Sequence, residues 1–236
     1  MQQQNILSSH ISEVFLSIQG EGKYAGARQL FIRFSDCDIN CCDCDTDYKR
    51  KKSFEFLGKK FLNPVKVDEL IKFIKSSNIL DEIHSISFTG GEPLLNWQEI
   101  EYIISSLGTS TKYFLETSGF HIDKLERIYK KFDVVSIDIK LNSTFNIKNN
   151  IEILKTADFI DQQKSYFKLV IDKNIKNSEI NDVVELLKIK KFYEIYLHFK
   201  NNLIEFNFLD VIMRKFYTKG ITVYYIPQIH KLVGFK

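Results

Sequence analysis

Apolar positions along this chain fall into two alternating periods. Seven short runs rich in β-branched and aromatic residues read as strands: 29–35 (QLFIRFS), 83–89 (IHSISFT), 112–117 (KYFLET), 133–139 (DVVSIDI), 166–172 (YFKLVID), 194–199 (EIYLHF) and 221–226 (ITVYYI). Between them lie stretches of helical period. In 67–78, Val67, Leu70, Ile71 and Ile74 stand at i, i+3, i+4 and i+7, and 96–107, 122–132, 178–189 and 207–217 behave similarly. Strands alternating with helices predict βαβ units and an α/β fold on a parallel sheet. The strands are nearly continuous apolar runs, which predicts a sheet covered on both faces. Six or seven such units build either a partial barrel or a doubly wound sheet. In both, ligands gather at the C-terminal ends of the strands.

Four polar motifs fall on that edge. SDCDINCCDCDT (35–46) follows the first run, TGGEP (89–93) ends the second, ETSG (116–119) ends the third, and SIDIK (136–140) overlaps the end of the fourth. Their convergence points to a site more strongly than any one of them.

Composition removes several function classes. Hydrophobic residues make up 44% and charged residues 27% of 236, as in ordinary globular domains. The net charge of +3 is too small to argue for a nucleic-acid partner. No apolar run approaches the roughly 20 residues that span a bilayer, so no membrane partner is expected. The N-terminal MQQQNILSSHISEVF lacks a basic segment followed by an apolar one, so we expect no signal peptide and a cytoplasmic location. KRKK (49–52) is a basic run, read as a solvated loop or as a docking patch for an acidic protein.

All four cysteines lie between Cys37 and Cys44. Cytosolic thiols stay reduced, and a cluster of them in a chain of this size suggests metal rather than disulfides. Cys37, Cys41 and Cys44 form C-x3-C-x2-C, a loop able to wrap three thiolates around one face of an iron–sulfur cube. Such clusters usually take four cysteines, so three ligands leave one iron with an open position, and Cys42 is the spare. The competing reading is a structural zinc site, but separated C-x2-C knuckles are missing and the five histidines show no ligand spacing.

The remaining motifs are each open to a plain structural reading. The glycines of TGGEP allow a close backbone approach to a ligand, or form a turn, and Pro93 suits the start of the next helix. IQGEG (18–22) lacks the Lys-Ser/Thr of a nucleotide loop. It is a tight turn, or a substrate loop offering Gln19 and Glu21. Arg33 can meet a carboxylate bidentately or form a surface ion pair. Ser136, Asp138 and Lys140 share one side of a strand by period two, where they satisfy a ligand or one another.

The order C-x3-C-x2-C, GGEP, polar strand motif resembles the radical S-adenosylmethionine superfamily. FLSIQGEGKYAGARQLFIRFSDCDINCCDCDT, FTGGEPLL and the C-terminal PQIHKLVGF are similar, more specifically, to the 7-carboxy-7-deazaguanine synthase family. That resemblance implies a partial (β/α)6 barrel with parallel strands and outer helices. It would form a single domain over 1–236, with a core of about 14–226 and a tail at 227–236 closing on the active site. It implies a 4Fe–4S cluster on Cys37, Cys41 and Cys44, with S-adenosylmethionine cleaved to a 5′-deoxyadenosyl radical. The implied reaction is a lyase reaction: 6-carboxy-5,6,7,8-tetrahydropterin gives 7-carboxy-7-deazaguanine with loss of ammonia, for queuosine, archaeosine or another 7-deazapurine.

Carried over by motif, Ile18, Gln19, Gly20, Glu21, Arg33 and Thr89 contact the pterin, and Lys236 reaches it from the chain's last position. Thr46 resembles the ligand of a Mg²⁺ ion shared with substrate. Asp43, Asp45, Gly91, Ser136, Asp138 and Lys140 resemble contacts to S-adenosylmethionine. The family also implies a homodimer and a flavodoxin or ferredoxin as electron donor. This chain departs from the pattern at Asp43, where an aromatic is usual, at SIDIK, where many members have Ser-Pro-Lys, and at LHFK (197–200), which contains His198.

Two rivals share parts of this pattern: another radical enzyme such as a glycyl-radical activase, and a non-catalytic zinc scaffold. Anaerobic reconstitution separates the zinc reading. We expect a brown protein with iron–sulfur charge-transfer absorption and an EPR signal after reduction. A colourless protein holding stoichiometric zinc would refute the cluster.

Overall fold

The computed structural model describes residues 7–42, 50–200 and 204–235. Among them are twelve strands: β1 (Ser8–Ser9), β2 (Ile11–Ile18), β3 (Arg28–Phe34), β4 (Ser53–Phe56), β5 (Lys59–Leu62), β6 (Val65–Lys66), β7 (Ser85–Gly90), β8 (Tyr113–Thr117), β9 (Val134–Ile139), β10 (Ser165–Ile171), β11 (Glu194–Phe199) and β12 (Thr222–Tyr225). The α-helices are α1 (Val67–Ser76), α2 (Trp97–Leu107), α3 (Ile122–Ile128), α4 (Asn142–Phe145), α5 (Ile151–Lys155), α6 (Asn177–Ile189), α7 (Phe206–Tyr217) and α8 (Ile229–Val233).

Eight strands make the main sheet, in the order β12-β11-β10-β9-β8-β7-β3-β2. Every neighbouring pair is parallel except β2–β3. Each parallel run expected from the sequence is present, within a residue or two at its ends. Strand β2 was not anticipated. It pairs antiparallel with β3 through Phe15↔Phe31 and Val14↔Ile32, and its alternation is blurred by buried residues on both sides. The hairpin β4–β5, which stacks Phe54 on Phe61, was also missed. So were α4 and α5, four and five residues long in an Asn-rich stretch with little helical propensity.

Period two divides the strand residues between two cores. Leu115, Val135, Phe167 and Leu197 face outward, in the large core shared with Leu70, Ile100, Leu125, Val183 and Leu209 of the helices. Their neighbours Phe114, Val134, Tyr166 and Tyr196 face inward and form a separate small core with Tyr24. The helices therefore cover the outer face of a curved, open sheet, a partial barrel. This corrects the expectation that both faces are covered alike. The inner face is apolar only toward the N-terminal ends. Two residues further along, Phe114 gives way to Glu116, Val134 to Ser136, Tyr166 to Lys168 and Tyr196 to His198, with Asp138 two residues beyond Ser136.

The strand ends are tied together by Asn150, which is completely buried. Its amide donates to the Ser118 carbonyl at 2.5 Å and the Asp138 carbonyl at 2.7 Å, and its oxygen accepts from the Lys140 N–H at 2.9 Å. Replacing it strands three buried backbone groups, each costing about 1–3 kcal/mol. Asn150→Ala is expected to lower unfolding stability by about 3 kcal/mol, read as a shifted denaturant midpoint. A change near zero would show that water replaces the clamp.

Candidate active site

The C-terminal ends of the parallel strands open into one cavity. Arg33 enters from β3, Thr89 from β7, Glu116 from β8, Asp138 from β9 and Lys168 from β10, with Cys37, Cys41, Gly91, Lys140 and Gln228 from the loops. The four polar motifs thus meet where the strand order predicted.

IQGEG crosses the mouth of the barrel. The Gln19 amide donates to Glu116 at 2.6 Å. The Glu21 carboxylate takes the Lys168 ammonium at 2.5 Å and the Gln228 amide. The Gly22 N–H donates to His198 Nε2 at 3.2 Å. One short loop is therefore fastened to β8, β10, β11 and the C-terminal segment. Gly22 has φ +66°, and a Cβ there would lie 2.5 Å from the Tyr166 ring, so only glycine fits. Gly20 accepts the Ile229 N–H at 3.0 Å, and neither it nor Ile18 lines the cavity. Ile18 lies instead beside Gly234 and Phe235.

Charge is threaded through the floor. Asp138 and Lys168 are direct cross-strand partners, and their charged groups stand 3.1 Å apart. The second Asp138 oxygen meets Lys140, also at 3.1 Å. The chain Glu21–Lys168–Asp138–Lys140 alternates in sign. Burial alone would raise the two carboxyl pKa values, but the lysines outweigh it and hold both below the ordinary range. Burial also works against the Lys168 charge, and Asp138, Glu21 and Glu116 more than reverse it, so its pKa rises. His198 is lowered, mainly by burial. Its Nε2 accepts a hydrogen bond, which makes it a neutral imidazole with its proton on Nδ1.

The glycines of TGGEP make a close backbone approach within the chain itself. A Cβ on Gly91 would lie 2.2 Å from the Asp36 carbonyl and 2.7 Å from Cys37 Cβ. The Gly91 and Glu92 amides are committed to the Phe34 and Asp36 carbonyls at 3.1 and 2.9 Å. The close approach is to the chain's own cysteine loop, although Gly91 does line the cavity. Glu92 is a buried strut: it accepts from Thr117 Oγ1 at 2.6 Å and the Ser118 N–H at 3.0 Å. Pro93 opens a short 3₁₀ turn before α2, as expected.

Cys37 and Cys41 line the cavity, and Cys37 Sγ accepts the Ile39 N–H at 3.4 Å. Amide-to-sulfur bonds of this kind tune cluster thiolates. Cys42 is exposed, does not line the cavity, and sets its sulfur 3.8 Å from the Thr144 carbonyl. Two thiols with an N–H donor, beside lysines, fit an iron–sulfur cluster. Asp43, Cys44, Asp45, Thr46 and Lys236 lie outside the described residues.

Arg33 lines the cavity and also pairs with Glu13 at 3.1 Å across β2–β3. Thr89 donates to Glu116 at 2.8 Å. Ser136 is buried and does not line the cavity. Sequence reading missed Lys168, and gave no role to Glu116 within ETSG or to Gln228 within PQIHKLVGF. Lys168 and Glu116 stand inside strand runs, where strand parity, together with Thr89 and Asp138, could have placed them inward. In the basic run, Arg50 pairs with Asp36 at 2.8 Å, while Lys51 and Lys52 are exposed.

Residues 18–163 match the family model described as a 4Fe-4S single cluster domain. The chain is 37% identical over 175 residues to 7-carboxy-7-deazaguanine synthase of Methanothermobacter thermautotrophicus, covering 72% of this chain and 67% of that one. With the Archaeoglobus fulgidus protein of the same name it shares 30% identity over 237 residues, covering 97% and 99%. This chain belongs to the 7-carboxy-7-deazaguanine synthase family. The crystal structure of QueE from Escherichia coli superposes with a TM-score of 0.56 over 92% of this chain and 93% of that one, at 18% identity, a likeness of fold. Membership makes this synthase-family chain a lyase of the radical S-adenosylmethionine type, with an iron–sulfur cluster and a small-molecule substrate. That answers the zinc-scaffold and activase readings. Among the described residues no helix is long and apolar enough to cross a membrane.

The depressed carboxyl pKa values carry a sign. Above about pH 4.5 the unfolded chain also holds its carboxylates ionised, and the ion pairs stabilise the fold fully. Below that, the unfolded chain binds protons that the folded one refuses, and stability falls with pH. Glu21→Gln is expected to cost about 2–4 kcal/mol at pH 7, because Lys168 loses a buried partner. It should also flatten the decline in stability between about pH 5 and 3. Denaturant titrations across that range test this, and an unchanged slope would contradict it.

Proposed function

We propose that this enzyme converts 6-carboxy-5,6,7,8-tetrahydropterin to 7-carboxy-7-deazaguanine with loss of ammonia. The observation that carries the reading is the meeting, in one cavity, of two cluster thiols with grouped charges of both signs. A carboxylated pterin carries an anionic group and a donor-rich amidine edge. S-adenosylmethionine carries an amine and a carboxylate. Glu21, Glu116 and Asp138 suit the donors, and Arg33, Lys140 and Lys200 suit the carboxylates.

In this reading Cys37, Cys41 and Cys44 would hold the cluster. Thr46 supplies a hard oxygen to Mg²⁺. The cluster with S-adenosylmethionine supplies a hydrogen-abstracting radical, and the protein supplies position and exclusion of water. Arg33 holds the substrate carboxylate. Glu21 and Thr89 border the ring from the cavity lining, while Ile18, Gln19, Gly20 and Lys236 are assigned to it by motif alone. Gly91, Ser136, Asp138 and Lys140, with Asp43 and Asp45, hold S-adenosylmethionine. The whole chain acts as one domain whose tail closes the cavity, Gln228 being its forward contact. The product feeds 7-deazapurine synthesis, queuosine or archaeosine among its outlets. The enzyme works as a cytoplasmic homodimer. Its electron donor is a flavodoxin or ferredoxin, and exposed Lys51 and Lys52 favour an acidic carrier.

An anaerobic assay with the carboxy-tetrahydropterin, S-adenosylmethionine, Mg²⁺ and reductant is expected to yield the deazaguanine. Absence of product from brown, fully loaded protein would refute the reading. Arg33→Ala should raise KM about 10- to 100-fold, the effect of losing a charged hydrogen bond, with iron content unchanged. Loss of iron would instead make Arg33 a structural residue.

A further inference from the structure

The loop that covers the cavity and the strand proposed to hold S-adenosylmethionine share one buried cation. Lys168 Nζ stands 2.5 Å from Glu21 and 3.1 Å from Asp138, and its side chain is 5% exposed. Its site is built by register: Lys168 is the cross-strand partner of Asp138, and it lies two residues beyond the inward Tyr166. A lysine buried this deeply is costly to desolvate, and two carboxylates offset that cost. Glu21 has one further partner, the Gln228 amide on the C-terminal segment, and the loop's remaining side-chain and backbone links to other strands do not involve its carboxylate. Gln19 goes to Glu116, Gly22 to His198 and Gly20 to Ile229.

We infer that Lys168 is a positioning residue that fixes the Glu21 carboxylate of the substrate loop relative to Asp138, and so sets the distance between substrate and S-adenosylmethionine. The inference rests on the function proposed above. Because four other links hold the loop, among them the single Gln228 bond to Glu21, losing Lys168 should leave the fold standing and disturb the alignment of the Glu21 carboxylate instead. Alignment errors of about 1 Å cost roughly 100-fold in rate.

The test compares wild type with Lys168→Met and Lys168→Arg in the cluster-loaded enzyme. Product and 5′-deoxyadenosine are both measured, together with amide hydrogen exchange in cluster-free protein. In Lys168→Met we expect product formation to fall about 100-fold, while 5′-deoxyadenosine released per product rises, since cleavage continues without a correctly placed acceptor. Lys168→Arg should restore most of the coupling. The Glu21 and Gly22 amides should exchange faster in Lys168→Met, while the Gln19 amide, bonded to Ala27, should not. Wild-type coupling in Lys168→Met would overturn the inference. So would equal falls in product and 5′-deoxyadenosine, or unchanged exchange at Glu21. If Lys168→Met does not fold, the same criteria apply to Lys168→Gln. Failure of wild type itself to make product would sink the proposed reaction, while the exchange data would still judge the lysine.

Discussion

The site depends on a row of alternating charges, Glu21–Lys168–Asp138–Lys140, buried at the open end of a partial barrel. Each ion alone would be expensive in that place. Together they hold one another ionised, and none can be removed without exposing a neighbour's unpaired charge. The arrangement is fixed by strand register, which sets Asp138 opposite Lys168, and by the loop whose Glu21 closes the row. The polar end of the barrel is thus as specified as its apolar end, where Phe114, Val134, Tyr166 and Tyr196 fill the interior.

The second constraint is the contact between TGGEP and the start of the cysteine loop. Gly91 lies where any side chain would strike the Asp36 carbonyl, and two amides of the motif are spent on Phe34 and Asp36. Glu92 then ties this turn to Thr117 and Ser118. A motif that reads as a ligand cradle is therefore first a brace. It holds Cys37 against the strand ends, so the start of the cysteine loop and the cavity are positioned by the same turn.

Much of this was legible in the sequence. The parallel strands followed from apolar runs alternating with helical periods, and the site edge followed from where the polar motifs fell. Cys42, the spare of the C-x3-C-x2-C spacing, is the exposed cysteine that does not line the cavity. Strand β2 was not legible, because both its faces are buried and its alternation is lost. Lys168 was hidden inside a run scored as apolar, and Glu116 was visible only as the start of ETSG, without a role. Their meaning depends on partners 147 and 97 positions away in the chain, and long-range pairing is what a local pattern cannot report. His198 stood out only as a departure from a family motif. The structure gives it a specific task, accepting the Gly22 N–H as a neutral ring.

The central claim is that substrate and S-adenosylmethionine occupy one cavity beneath the Gln19–Gly22 loop, close enough for direct hydrogen transfer. Turnover with the carboxy-tetrahydropterin deuterated at C6 tests it most directly. In the proposed reaction the radical takes hydrogen from C6 and S-adenosylmethionine is re-formed at the end of each turnover, so mass spectrometry of the recovered S-adenosylmethionine should find deuterium at its 5′ carbon as the deazaguanine accumulates. Product formed with no deuterium in the recovered S-adenosylmethionine would contradict the shared cavity.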